Sequence, residues 1–189
     1  MENRIERCFD VTLQRSEQDE NRVEGMAVVF NREANLGWFT EEIDPRALDG
    51  ADMSDVVLNF NHDNSLLLAG TRNGSLTLDV RSDGLFQSAH IIDTTQGRDV
   101  MKLVESGLIS KMSFAFTIAR DGEVWSERDG VEHRLITKID RLYDVSLVTF
   151  PAYPQTSAWA RSDSLAEEHK ALMQKRKEQD IRMKELLHE

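Results

Sequence analysis

The stretch TQGRDVMKLVESGLISKMSFAFTI, residues 95–118, changes character in its middle. Before Gly107, the residues Val100, Leu103 and Val104 mark one face of a helix predicted over Thr95 to Ser106. Gly107 supplies the C′ stop, because a glycine takes the left-handed backbone that ends a helix without steric cost. Beyond the turn, Ser113 to Ile118 reads as a strand. A serine therefore stands at the start of a strand fed directly by a helix and a tight turn.

Outward from this unit the pattern is mostly of period two. Phe9, Val11 and Leu13 alternate with polar residues, and Val23 to Phe30 forms a second apolar run. Further strands are expected over Val56 to Phe60, Ser75 to Val80, Leu85 to Ile91 and the long stretch Glu132 to Val148. Gly70, Gly74, Gly84, Gly122 and Gly130 punctuate them. A second, shorter helix is expected to begin at Pro45, with Asp44 as its N-cap. Short strands separated by turns predict an α+β, mainly β domain: an antiparallel β-barrel-like core with a few helices around it. The domain is expected over 1–160. A charged helical tail is expected over 161–189, where Leu165, Leu172, Met173, Met183, Leu186 and Leu187 make a weak apolar stripe.

At 189 residues the chain has room for one core and a tail. With 40% hydrophobic and 30% charged residues it reads as an ordinary globular protein, and no apolar run is long enough to span a bilayer. A net charge of -11 argues against nucleic acid as the partner, since that affinity comes from clustered Lys and Arg. Cys8 is the single cysteine and cannot pair internally, and the opening MENRIERCFD lacks an apolar signal-peptide core; a reducing cytoplasm is expected. Cys8 itself reads as a small semi-buried residue. The five histidines have no HExxH-like spacing, so neither a metal nor a cofactor is expected.

Three residues have the chemistry of a hydrolytic site. His62, in LNFNHDN at the end of an apolar run, is placed to titrate near neutrality as a general base. Ser113 is placed to expose its hydroxyl at a sheet edge, with the next backbone N–H groups near a developing oxyanion. Asp144, in LYDVSLVTFPAYP, is a carboxylate inside an apolar run and needs a partner; orienting an imidazole is one way to satisfy it, pairing with Arg141 another. Ser146, two residues on, is the rival nucleophile. Spacing alone does not assemble these groups, because such triads come from distant segments.

With these residues in view, the chain resembles the prohead proteases of tailed bacteriophages over about Val23 to Ala158. The resemblance is carried, in order, by EGMAVVFN, EEIDPRAL, the NHD histidine, LLAGTRNGSLTLDVRSDGLFQSAHI, GRDVMKLVESGLISKMSFAF and DVSLVTFPAYP. That family is similar to the herpesvirus capsid-maturation protease, assemblin, which implies a barrel of strands wrapped by helices. It implies His62 as the catalytic histidine, Ser113 as the nucleophile and Asp144 as the third member, with His133 or His90 as alternatives because the herpesvirus enzymes use a second histidine. The backbone N–H of Phe114 becomes the candidate oxyanion donor and Arg72 its candidate support. The implied activity is that of a serine endopeptidase that cleaves the scaffolding segment of the phage major capsid protein, and itself, inside the assembling prohead in the host cytoplasm. Self-cleavage raises the expectation of a homo-oligomer. The competing reading is a non-catalytic assembly scaffold or chaperone on the same fold.

Overall fold

A computed structural model describes residues 4–9, 14–15, 19–149 and 171. Among these the elements run β1 (Ile5–Phe9), β2 (Gln14–Arg15), β3 (Arg22–Val29), β4 (Ala34–Asn35), β5 (Phe39–Ile43), β6 (Val57–Phe60), β7 (Asp63–Gly70), β8 (Leu76–Arg81) and β9 (Gly84–His90). Then follow α1 (Thr95–Glu105), β10 (Lys111–Ile118), β11 (Glu123–Arg128), β12 (Val131–Ile136) and β13 (Ile139–Val148). Apart from Ala171 the charged tail lies outside the described residues, as do Val11 and Leu13.

The strands form three sheets with the orders β1-β10-β13-β6-β7, β11-β12-β5-β4 and β2-β3-β9-β8. None of the three closes on itself among the described residues, so the fold is mainly β without a closed barrel. Nor is it wholly antiparallel. β13 runs parallel to β6, and β12 runs parallel to β5. Period-two alternation places side chains on faces but carries no information about the direction of the neighbouring strand, and that is why the sequence misses both junctions.

Residue type explains which strands are central. β3 and β5 alternate buried and half-buried positions, as a strand with one face on the core must. β10 and β13 are buried on both faces over most of their length. Met112, Phe114, Phe116, Leu142, Val145 and Leu147 from these two strands lie in the core with Leu58, Leu68, Leu85 and Ile109. The predicted stretch Glu132 to Val148 divides in two, because the N–H groups of Thr137 and Lys138 both donate to the Gly122 carbonyl, at 2.8 and 3.0 Å, and turn the chain out of the sheet.

The helix of residues 95–105 forms as its sequence indicates. The Thr94 hydroxyl caps the N-terminus by accepting from the Gly97 N–H at 2.9 Å, and Gly107, at φ +74°, follows the last turn. It is the one α-helix among the elements of the described residues, not one of several. The helix expected at Pro45 is instead a run of turns, closed by Ala47 N–H to Asp44, Asp49 N–H to Arg46 and Ala51 N–H to Leu48. Gly50, at φ +78°, ends the run before a helix can repay its nucleation. The Ala47 carbonyl is also taken, by the Ile139 N–H at 2.7 Å, which ties the run to the start of β13.

Candidate active site

Ser113, Ser146 and Asn59 lie in one row across the largest sheet. Ser113 is opposite Ser146 in the β10–β13 pair, and Ser146 is opposite Asn59 in the β13–β6 pair. Asp144 lies two residues before Ser146 and therefore on the same face. His62 sits just past the end of β6, where Asn61 and His62 take φ values of +54° and +59°. Such a left-handed pair is costly for non-glycine residues, and asparagine bears it best. Two bonds anchor the bend: the Asn61 N–H donates to the Leu147 carbonyl at 2.9 Å, and the Asn61 side-chain oxygen accepts from the Thr149 N–H at 3.1 Å. The bend throws the imidazole back over β13.

There His62 Nδ1 lies 2.7 Å from Asp144 Oδ1, and His62 Nε2 lies 2.6 Å from Ser113 Oγ. A carboxylate only accepts, so the imidazole carries its proton on Nδ1 and presents the lone pair of Nε2 to the Ser113 hydroxyl. The Asp144 side chain is 1% exposed and that of His62 is 13% exposed. Water cannot compete for the carboxylate, which strengthens its hold on the ring. The arrangement can take a proton from Ser113 while a buried negative charge steadies the imidazolium that results.

Ser146 does not share the surroundings of Ser113. It is fully buried, its Oγ accepts from the His62 N–H at 3.2 Å, and it donates to Asn59 Oδ1. It also lies 3.1 Å from both Asp144 Oδ1 and His62 Nδ1. Asn59 Nδ2 in turn reaches Asn64 Oδ1 at 3.4 Å. Beside His62, the Asp63 carboxylate is held below the ordinary carboxylate value by the Ser65 hydroxyl at 2.6 Å and then by the Ser65 N–H at 2.8 Å. These bonds close the turn that leads into β7.

The alternatives for a third member lie elsewhere. His133, on β12, is buried and bonds Thr40 Oγ1 at 2.9 Å. His90 bonds Asp19 at 2.8 Å on the surface. Arg72 pairs with Asp55 and is 78% exposed, so it is committed away from Ser113. Arg141 pairs with Asp52 at 3.7 Å and leaves Asp144 to other partners. Phe114 stands opposite Arg7 of β1. Cys8 is buried opposite Ser113 and donates to the Met112 carbonyl at 3.0 Å.

Sequence reasoning misses the parts that Asn59 and the first strand play at this site. Asn59 has a weak signal, a polar residue inside a four-residue apolar strand. Arg4 pairs with Asp144 through Oδ2, and the Arg7 carbonyl oxygen lies 2.9 Å from Ser113 Oγ, where it shares the one hydroxyl proton with His62 Nε2. The Arg7 guanidinium grips Glu41. Nothing in MENRIERCFD distinguishes these arginines from solvated surface charges. Among the described residues no cluster of three or more His, Cys, Asp and Glu is placed to hold a metal ion, and no helix is long and apolar enough to cross a membrane.

The solved structure of the bacteriophage T4 capsid assembly protease, gp21, is similar over 76% of this chain and 98% of that one, with a TM-score of 0.47 and 10% sequence identity. No curated protein matches the chain in sequence. The family model for the caudovirus prohead serine protease matches residues 9–171, which include His62, Ser113 and Asp144, and the chain belongs to that family.

Proposed function

We propose that this protein is a serine endopeptidase in which Ser113 is the nucleophile, His62 the general base and Asp144 the group that orients the imidazole. The observation that carries the reading is the unbroken chain Ser113 Oγ, His62 Nε2, His62 Nδ1, Asp144 Oδ1, with links of 2.6 and 2.7 Å. Ser113 Oγ attacks the scissile carbonyl carbon as its proton passes to His62 Nε2. The tetrahedral intermediate collapses, His62 returns that proton to the departing amine, and an ester on Ser113 remains. Water, deprotonated by the same imidazole, releases the acid and restores the hydroxyl.

The substrate in this reading is the scaffolding segment of the phage major capsid protein, together with the protease itself, cut inside the assembling prohead in the host cytoplasm. Membership of the prohead protease family supports it. Residues 1–160 form the protease domain and the charged segment 161–189 docks it to coat or scaffold. The test is coexpression of the chain, or its Ser113→Ala form, with the coat protein, followed by intact-protein mass spectrometry. The reading requires the wild type to shorten the coat and Ser113→Ala to leave it whole. Equal shortening by both would remove Ser113 from the mechanism, and an intact coat in well-formed proheads would favour a non-catalytic scaffold.

A further inference from the structure

Ser113 is 1% exposed, and what covers its hydroxyl is the chain's own first strand. β1 is the outer strand of its sheet and runs antiparallel to β10, with Cys8 opposite Ser113 and Arg7 opposite Phe114. It is held beside the catalytic groups by Arg7 and by Arg4, which immediately precedes the strand. The Arg7 carbonyl bonds Ser113 Oγ at 2.9 Å, the Arg7 guanidinium engages Glu41 through both Nε and Nη2, and Arg4 engages the outer oxygen of Asp144. An extended segment thus lies against the nucleophile, with one residue giving its carbonyl to the serine and its basic side chain to a buried carboxylate.

From this we infer that the edge of β10 now filled by β1 is the binding slot for an extended substrate segment, and that Glu41 selects Arg or Lys as the residue whose carbonyl faces Ser113. The inference rests on the reading of Ser113 as nucleophile. Peptides commonly bind by adding a strand to a sheet edge, where the ladder supplies affinity and side-chain pockets supply specificity.

The charges around Glu41 set the class of side chain. Glu41 is 3% exposed and also pairs with Arg134 at 3.3 Å, and Arg134 pairs with Glu123 at 2.7 Å. Burial works against the Arg134 cation and lowers its pKa, and the two glutamates offset this only in part. With Arg7 withdrawn, Glu41 Oε2 keeps Arg134 and Oε1 loses the guanidinium that Arg7 gave it, while Glu123, 36% exposed, is solvated. A buried carboxylate oxygen left without its cation calls for another and rejects an acidic or apolar side chain. The paired contact of Nε and Nη2 with both Glu41 oxygens favours arginine over lysine, whose ammonium has no fork. The carbonyl of Arg7 meets Ser113 through its oxygen, as a hydrogen-bond acceptor and not as an attacked carbon. β1 therefore fills the slot without being cut there, and a substrate segment must displace it.

The experiment uses the full-length wild type, Arg7→Gln and Glu41→Gln proteins, each incubated with a peptide mixture digested from a whole proteome by a protease that spares Lys and Arg. Cleaved bonds are read by mass spectrometry, accessibility of Ser113 by fluorophosphonate labelling and folding by circular dichroism. The expected result is cutting after Arg and, less often, Lys. Arg7→Gln should cut and label at least threefold faster, because β1 is less firmly seated. Glu41→Gln should lose at least tenfold in kcat/KM on an arginine-site peptide while cutting the matched glutamine-site peptide no more slowly. If Glu41→Gln fails to fold, the bond preference of the wild type and Arg7→Gln decides the matter. Cutting without preference for basic residues overturns the basic pocket and leaves Ser113 as nucleophile. Labelling of Ser113 without any cutting by Arg7→Gln does the same. If neither protein cuts or labels, both the pocket and the protease reading fall.

Discussion

The hydroxyl of Ser146 holds the main chain of His62: the His62 N–H donates to Ser146 Oγ at 3.2 Å, and the Ser146 O–H donates to Asn59 Oδ1. Ser146→Ala removes that acceptor and leaves Asn59 Oδ1 buried without its donor. The expected cost is about 1–3 kcal/mol of folding stability, read from urea denaturation. With the left-handed bend at His62 less firmly held, cleavage of the coat protein should fall by up to about 100-fold. The remaining activity should still vanish on adding Ser113→Ala, which a nucleophilic Ser146 would not allow.

Asp144→Asn keeps the shape of the side chain but offers an N–H to His62 Nδ1, or a neutral oxygen in place of the carboxylate. The wrong imidazole tautomer is then favoured, and kcat should fall by roughly 10⁴-fold with the fold intact. His90→Gln, at an exposed histidine bonded to Asp19, should leave kcat unchanged. A comparable loss at His90 would move the third role away from Asp144.

Acid should loosen the turn that follows His62. Asp63 has its folded-state pKa depressed below the ordinary 3.8, chiefly by the Ser65 hydroxyl and next by the Ser65 N–H. The contribution is therefore complete above the ordinary value and is lost as pH falls through the lower, folded one. In an NMR titration the Asp63 carboxyl should have its midpoint below 3.8 in the wild type and move up towards it in Ser65→Ala. An unchanged midpoint would show that the Ser65 hydroxyl does not hold the carboxylate.

Gly97 marks where α1 is seated. A Cβ there would lie 2.2 Å from the Ile92 carbonyl oxygen, an atom of the backbone that cannot swing aside. Gly97→Ala should therefore destabilise by about 1–3 kcal/mol although alanine is the better helix former, and thermal melting measures it. An unchanged melting temperature would mean that the first turn of α1 shifts freely.

Much of this molecule is written locally, and the parts that are not share a cause. Gly107 and the spacing of Val100, Leu103 and Val104 place α1 to within a residue, because helix stops and periodicity act over a few positions. The strand starting near Ser113 and the loop position of His62 are legible for the same reason. The parallel approach of β13 to β6 is not, since it depends on a neighbour more than 80 residues away, as the pairing of Asp144 with Val57 illustrates. Recognition of His62, Ser113 and Asp144 as a set came from the resemblance and not from spacing. Asn59, Arg4, Arg7 and Glu41 acquire their significance only through partners on other strands, and a solvated arginine and a buried one are the same letter in a sequence.

The order of strands in the largest sheet sets when this chain becomes dangerous. β6, which leads to His62, and β10, which carries Ser113, never pair; β13 lies between them and comes last of the described strands in the chain. A chain synthesised only as far as β10 holds His62 and Ser113, the proposed base and nucleophile, with no shared neighbour to align them. Contacts between segments so distant in sequence form late and together. On the proposed mechanism, proteolytic competence arrives in a single closing step, and an unfinished chain cuts nothing.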